Sequence, residues 1–96
     1  MDNLEITRHD EETRGEYRAH PSDSDAIGRL TYKKNGDVYV ADHTLVPPEI
    51  GGRGIAAKLV EALIADARDE GFKIVPQCSY VDAAFRRHPD WSDLRA

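Results

Sequence analysis

The stretch Val-Pro-Pro-Glu-Ile-Gly-Gly-Arg-Gly-Ile-Ala, residues 46–56, lies between a segment typical of a β-strand and a segment typical of a helix. Its glycines let the backbone turn sharply and approach a bulky ligand without interference from Cβ atoms. The N-terminus of the following helix offers unpaired N–H groups and the positive end of the helix dipole. Arg53 adds a guanidinium that suits phosphate oxygens, and Lys58 adds a more distant charge. The pattern therefore predicts an anion-binding corner suited to a diphosphate.

The simpler interpretation of the glycines is a tight turn with a purely structural role. The combination of glycines, Arg53 and an amphipathic helix favours a binding function over that turn. A nucleoside-triphosphate P-loop is excluded because Gly54 is followed by Ile-Ala rather than Lys-Ser/Thr. A Rossmann corner fits poorly because no N-terminal parallel strand precedes it, and the acidic residues that follow lie on the same helix.

Apolar residues recur at helical spacing after the corner, and Gly71 is expected just beyond the helix C-terminus. The apolar side consists of Ile55, Leu59, Ala62 or Leu63, and Ala67. The carboxylates of residues 61–70 are interpreted as facing solvent. Residues 72–75 form a short apolar run that predicts a buried strand, closed by Pro76. Strand, corner, helix and strand together predict a βαβ unit with parallel strands and a right-handed crossover.

Before the corner, residues 26–34 and 37–46 are two β-capable runs joined by Asn35-Gly36, which predicts a hairpin. Two prolines end the second run. Residues 12–20 are a candidate edge strand, and residues 79–88 a candidate second helix. The predicted fold class is therefore α/β, of the α+β kind: one mixed, mostly antiparallel sheet with a βαβ unit and a C-terminal helix.

The 96 residues are expected to form a single domain, residues 1–96. A net charge of −5 argues against a protein that coats nucleic acid. The longest apolar-rich stretch, residues 54–65, contains charges and is shorter than the roughly 20 residues that cross a bilayer, so no membrane partner is expected. The first residues lack the basic and apolar segments of a secretory signal, which leaves the cytoplasm as the expected location.

No metal is expected either. The single cysteine excludes an internal disulfide and a multi-cysteine zinc site. His9, Asp10, Glu12 and His20 do not follow a known metal-ligand spacing.

The glycine corner resembles motif A of the GCN5-related N-acetyltransferases. That motif is written Gln/Arg-x-x-Gly-x-Gly/Ala and falls here on residues 49–54. Gly52 and Gly54 match the motif, whereas Glu49 departs from the usual Gln or Arg.

A second resemblance lies further along the chain. Residues 75–81, Val-Pro-Gln-Cys-Ser-Tyr-Val, and residues 87–91, Arg-His-Pro-Asp-Trp, resemble a subgroup of very small, single-domain members of this family. The resemblance extends from about Ala26 to the C-terminus and identifies the chain as a member of that superfamily.

The resemblance implies a fold of the GCN5-related acyl-CoA N-acyltransferase type and a reaction. The sheet is splayed between the strand before the corner and the next strand, and the pantetheine arm of acetyl-CoA lies in that gap. Pantetheine amides pair with backbone groups near Leu45 and Val46. The reaction is direct transfer of an acetyl group from acetyl-CoA, the co-substrate, to an amine. The residues implied for the diphosphate are Gly51, Gly52, Arg53, Gly54, Ile55 and Ala56.

Two positions depart from the pattern of larger members, which often have Asn after the second splayed strand and, seven residues on, Tyr as the acid for the leaving thiolate. Here the two positions are Cys78 and Phe85. Phenylalanine cannot donate a proton. Since a thiol has a pKa of about 8.5, its thiolate can leave with the help of a weak acid or water.

Cys78 is a candidate catalytic residue. It follows a predicted buried strand and precedes a helix, whose N-terminus would lower the pKa of the thiol. It is interpreted either as an acyl-accepting nucleophile or as a contact to the thioester. A small buried apolar residue is the alternative.

His43 is a candidate general base because the pKa of histidine lies near neutrality. A solvated or cross-strand role is the alternative. Strand alternation places His43 and Leu45 on one face and Asp42, Thr44 and Val46 on the other. If the pantetheine channel lies on the face of Thr44, His43 needs a water relay or has another task.

Two kinds of function therefore remain open. The first is an acetyl-CoA-dependent N-acetyltransferase. The alternative is a module that binds CoA or acetyl-CoA with little or no catalysis and acts as a regulator or partner-binding protein. A protein lysine, an N-terminal amine, a polyamine and a small metabolite are all open as acceptors, and the oligomeric state has no signature in the sequence.

Overall fold

Five strands form one sheet, and two α-helices pack together on one of its faces, in the computed structural model, which describes residues 3–96. Met1 and Asp2, at the start of the predicted domain, lie outside the described residues. The strands, which neighbour one another in chain order, are β1 (Leu4–Asp10), β2 (Arg14–Pro21), β3 (Gly28–Asn35), β4 (Val38–Leu45) and β5 (Lys73–Pro76). The helices are α1 (Ile55–Glu70) and α2 (Ser79–Arg87), and short 3-10 segments cover Pro48–Ile50 and Pro89–Leu94.

The hairpin predicted from Asn35-Gly36 is confirmed. Asn35 pairs with Val38, and Gly36 has a φ of 63°. A left-handed backbone of this kind is readily adopted by glycine but disfavoured for other residues, so the dipeptide determines where β3 turns into β4.

The βαβ unit is also confirmed. β4 and β5 run parallel, and α1 connects them. The N–H of Gly71, with φ 82°, donates to the carbonyl of Ala67 at 2.9 Å and ends α1 where the sequence predicts. Leu59 and Leu63 are fully buried on the sheet-facing side of α1, and burial of each contributes about 1.5–3 kcal/mol. None of the helices in residues 3–96 is long and apolar enough to cross a bilayer.

Aromatic rings cross the helix-covered face of the sheet in a continuous row. The ring centroids of Tyr17 and Tyr32 are 5.5 Å apart, those of Tyr32 and Tyr39 are 5.2 Å apart, and those of Tyr39 and Phe72 are 3.7 Å apart. This row joins β2, β3 and β4 to the residue that precedes β5. It packs neighbouring strands against one another across the sheet.

The predicted edge strand at residues 12–20 is wrong in one respect. A strand is present, but β2 lies between β1 and β3, and β1 is the edge. The charge-dense N-terminal segment concealed β1, because the charge of Arg8 is satisfied by partners on α1. Arg8 contacts Asp66 at 3.0 Å and also pairs with Glu70.

The interpretation of all carboxylates of residues 61–70 as solvent-facing is likewise wrong. Asp66 accepts hydrogen bonds from Arg8 and, at 2.7 Å, from the hydroxyl of Tyr17, whose side chain is buried. Asp66 therefore joins α1 to the sheet. A polar residue on the covered side of a helix is tolerated when its hydrogen bonds are made within the protein.

A β-bulge interrupts β4. Thr31 pairs with His43 and Tyr32 pairs with Ala41, so Asp42 is an extra residue on β4. Asp42 accepts a hydrogen bond from the Thr31 hydroxyl at 2.7 Å and shares the face of His43. The expectation that Asp42 and Thr44 share one face is therefore wrong, since it assumed unbroken alternation.

β4 and β5 separate beyond a short paired region. Pairing runs from Val38 and Lys73 to Ala41 and Pro76, and the last contact is the N–H of Cys78 donating to the carbonyl of Ala41 at 2.9 Å. β4 continues to Leu45, whereas the segment that follows β5 turns into α2. We call the opening between these two segments the wedge. It has the position that the resemblance implies for a pantetheine arm.

Candidate functional site

The glycine corner, residues 51–54, sits where β4 leaves the sheet and α1 begins. Gly51 is extended, whereas Gly52 and Gly54 have φ values of 74° and 76°. A Cβ atom at Gly52 or Gly54 would meet no atom within 4 Å. These two positions therefore favour glycine because of backbone conformation rather than lack of space, and another L-residue would cost roughly 1 kcal/mol or more at each.

Six consecutive backbone N–H groups at the corner, from Gly52 to Ala57, donate to no acceptor in residues 3–96. The first helical hydrogen bond of α1 runs from the N–H of Lys58 to the carbonyl of Gly54 at 3.2 Å. Gly54 is the N-cap, and no side chain caps it. An unsatisfied run of donors at the positive end of a 16-residue helix is a site for a negatively charged group.

Arg53 is the cation at this corner, and it has a partner. Its Nη1 lies 2.8 and 3.1 Å from the two carboxylate oxygens of Asp23, in the loop between β2 and β3. The guanidinium holds the pKa of the Asp23 carboxyl below its usual range. Lys58 lies one turn into α1, is exposed and pairs with Glu61 at 3.7 Å. The loop composition gave no sign of the contact between Asp23 and Arg53.

Cys78 and Thr44 meet in the wedge. The Sγ of Cys78 lies 3.5 Å from the Oγ1 of Thr44, and both residues are half-buried. Thr44 pairs with the fully buried Leu30, which places it on the face covered by the helices. Cys78 is also the N-cap residue of α2. The structure thus brings the end of β4 and the start of α2 together around a thiol.

The surroundings of Cys78 favour its thiolate. Burial raises the pKa of the thiol, but hydrogen bonds from the Thr44 hydroxyl and from the backbone N–H groups of Val81 and Tyr80 outweigh it, so the pKa is below the ordinary value. These amides are the free donors of the first turn of α2. A thiolate at this position can act as a nucleophile toward a neighbouring carbonyl carbon.

His43 lies on the other face of the sheet. It is exposed and pairs with Thr31, whereas Thr44 and Cys78 lie on the helix-covered face. The β-bulge at Asp42 is the cause, because it moves the residues that follow by one position. The structure therefore does not bring His43 and Cys78 together, although both border the separated end of β4.

Phe85 is buried and contacts Trp91 edge-on, with ring centroids 5.8 Å apart. Trp91 also stacks on His88 at 3.9 Å. These rings pack against the core at the end of α2. Arg86 pairs with Asp82 one turn earlier at 2.7 Å. The position of Phe85 supplies packing and no proton.

The described residues contain no group of three or more His, Cys, Asp or Glu side chains that could hold a metal ion. The groups described at the corner and the wedge include backbone N–H groups, the guanidinium of Arg53, the thiol of Cys78 and the hydroxyl of Thr44.

A separated pair of parallel strands, with a glycine corner and free N–H groups beside the opening, defines the class as an α/β protein with a splayed sheet. The family model of the GCN5-related N-acetyltransferases matches residues 16–94. The chain belongs to this family, and its family and fold support acetyltransferase activity in general. β1 lies before the matched residues.

A solved structure agrees with this assignment. The chain is similar to the NMR solution structure of a GCN5-like N-acetyltransferase candidate from Staphylococcus aureus, with a TM-score of 0.72 and 28% identity. The similarity covers 100% of this chain and 91% of the other. The mixed sheet predicted from the sequence is therefore that of the N-acetyltransferase fold.

Proposed function

We propose that the chain transfers an acetyl group from acetyl-CoA to an amine. The observation that carries the proposal is the run of free N–H groups from Gly52 to Ala57, placed directly beside the wedge. A diphosphate needs several donors and a positive potential, and the corner provides both. A pantetheine arm needs an extended edge, and β4 beyond Ala41 provides one.

In this proposal the corner and the wedge share the binding of acetyl-CoA. Backbone groups near Leu45 and Val46 pair with the pantetheine amides, and acetyl-CoA supplies the activated thioester. The residues proposed to hold the diphosphate are Gly51, Gly52, Arg53, Gly54, Ile55 and Ala56. Because the structure joins Cys78 to Thr44 at the opening of the strands, we place the acyl group near this pair.

The transfer forms a bond from the amine nitrogen to the acetyl carbon and breaks the bond from that carbon to sulfur. The amine loses one proton and the departing thiolate accepts one. His43 is proposed to remove the amine proton, directly or through water, from an amine that enters from its exposed face. Cys78 is proposed to contact the thioester or to accept the acyl group before the amine does.

A specific observation favours the second candidate, a module that binds CoA with little or no catalysis. Phe85 occupies the position of the usual acid and is buried against Trp91. Catalysis then depends on the good leaving ability of a thiolate, whose conjugate acid has a pKa of about 8.5. Both candidates require the same corner, and they differ only in turnover.

Gly54→Glu tests the corner. The added carboxylate would lie among the free N–H groups and repel a diphosphate, so we expect at least a tenfold loss of CoA affinity by calorimetry. Gly36→Glu is the control, because Gly36 also has a positive φ and open space around its Cβ position, but it lies in the hairpin. Both variants carry similar backbone strain, and circular dichroism checks that both fold.

Equal CoA affinity in the two variants would remove the corner from the binding site. Turnover of acetyl-CoA with a panel of amines separates the two candidate functions. Release of CoA that depends on the amine supports the transferase, whereas CoA binding without turnover supports the module. The cytoplasmic location stays a prediction of the sequence, which leaves the acceptor and the oligomeric state open.

A further inference from the structure

Arg53, the cation that the corner offers to a diphosphate, is already paired with Asp23. Arg53 is the one cation in residues 49–57. Its Nη1 is within hydrogen-bonding distance of both carboxylate oxygens of Asp23, at 2.8 and 3.1 Å. The two oxygens of one carboxylate lie too close together to take both N–H groups of this nitrogen, so they share the N–H that faces Asp23. A phosphate oxygen that takes this N–H must displace the carboxylate.

We propose that Asp23 competes with the diphosphate of acyl-CoA for Arg53, and thereby weakens CoA binding and speeds CoA release. This inference rests on the proposed function. Carboxylate and phosphate oxygens present the same kind of acceptor to a guanidinium. The competitor is part of the chain, so it is always present at the corner.

The strength of the pair suits a competitor rather than a permanent clamp. The side chain of Asp23 is 64% exposed and that of Arg53 is 34% exposed, and solvent weakens such a pair. A cavity of about 160 Å³ adjoins both residues and is also lined by Pro21, Ser22 and Ile55, which leaves room for the two side chains to part. A diphosphate that also bonds the free N–H groups can therefore displace Asp23.

The competition persists at neutral pH. Arg53 lowers the pKa of the Asp23 carboxyl, so Asp23 stays ionised throughout the range in which the enzyme is expected to work.

Asp23→Asn tests the inference, with Asp25→Asn as the control. Both changes remove one negative charge from the same loop, but Asp25 is exposed and forms no ion pair within residues 3–96. We expect Asp23→Asn to bind CoA about two- to fivefold more tightly, the range of a weak exposed ion pair, and to release it more slowly in stopped-flow measurements. Asp25→Asn should match the unaltered protein.

The same substitution in an Arg53→Ala background shows whether Asp23 acts through Arg53. Competition predicts that Asp23→Asn then leaves CoA affinity unchanged, because the guanidinium for which the two anions compete is absent. A gain that persists without Arg53 would show general charge repulsion and overturn the competition. Unchanged or weaker CoA binding in the single variant would also overturn it, and weaker binding with a lower melting temperature would identify a structural tie.

The outcomes separate this inference from the proposed function. If the unaltered protein binds CoA and Asp23→Asn gives no gain, the competition alone is wrong. If Asp23→Asn binds CoA where the unaltered protein does not, the competition is supported strongly. If no variant binds CoA, the proposed function is wrong and the competition falls with it.

Discussion

The two ends of α1 differ in whether their polar groups have hydrogen-bond partners. Near the C-terminal end, Asp66 and Glu70 are hydrogen-bonded to Arg8, and Asp66 also accepts from Tyr17. At the N-terminal end, the N–H groups from Gly52 to Ala57 have no acceptor among residues 3–96. One helix thus carries a satisfied network at one end and a row of unused donors at the other.

The difference separates polar groups that stabilise the fold from polar groups that are available to bind a ligand. In the described part of the chain, no buried side-chain polar atom lacks a hydrogen-bond partner. The corner is exposed, so water can satisfy its donors until a ligand replaces it. We expect changes in the network to affect stability and changes at the corner to affect affinity.

Arg8→Ala should give the largest effect on stability. The Arg8 side chain is 21% exposed and contacts Asp10, Asp66 and Glu70, so its loss leaves three carboxylates without this partner. Hydrogen bonds to charged groups are worth about 1.5–3 kcal/mol. After allowance for partial exposure, we expect the free energy of unfolding to fall by about 2 kcal/mol in urea titrations.

Arg14→Ala is the control for this change. Arg14 pairs with Glu11, but both side chains are about 70% exposed, at 71% and 69%. Its loss should alter stability by less than about 0.5 kcal/mol. CoA affinity should stay within a factor of about two in both variants while they are folded. A large loss of CoA affinity in Arg8→Ala would contradict the separation between the two ends of α1.

Cys78→Ala should give the next largest effect, on turnover rather than stability. If Cys78 contacts the thioester, its loss should lower kcat about tenfold or more, with CoA affinity nearly unchanged. Ser79→Ala is the control, because Ser79 is exposed and is the next residue in α2. Full activity in Cys78→Ala would assign Cys78 to packing only.

Elements built from local patterns were predicted well. The Asn35-Gly36 turn, the apolar side of α1 and the Gly71 C-terminus each follow from residues close together in sequence, and the structure has all three. The parallel placement of β4 and β5 followed from their order around α1.

Features that depend on distant partners were missed. β1 was not predicted, because Asp66 and Glu70, the partners of Arg8, lie about sixty residues further on. The β-bulge at Asp42 has no local sign such as glycine, so the faces of Asp42 and Thr44 were assigned wrongly. The pairing of Asp23 with Arg53 likewise joins two loops that the sequence does not relate.

The β-bulge leads to the smallest predicted effect, on the pKa of Cys78. Because the bulge turns Thr44 toward the helix-covered face, its hydroxyl reaches Cys78, and the pKa of the thiol is lowered despite burial. We expect the rate of alkylation by iodoacetamide to rise with pH through a midpoint below the value of about 8.5 for a free cysteine. Thr44→Val removes the hydroxyl and should move that midpoint upward.

The same pKa shift has a consequence for stability. Since the pKa is lower in the folded protein than in the unfolded chain, the thiolate stabilises the fold fully above the unfolded pKa, and this stabilisation is lost as the pH falls through the folded pKa. Thr44→Val should therefore lose more stability at high pH than at neutral pH. Thr31→Val is the control, because Thr31 bonds Asp42 on the opposite face. An equal midpoint in Thr44→Val and the unaltered protein would mean that the amides of α2 alone lower the pKa of Cys78.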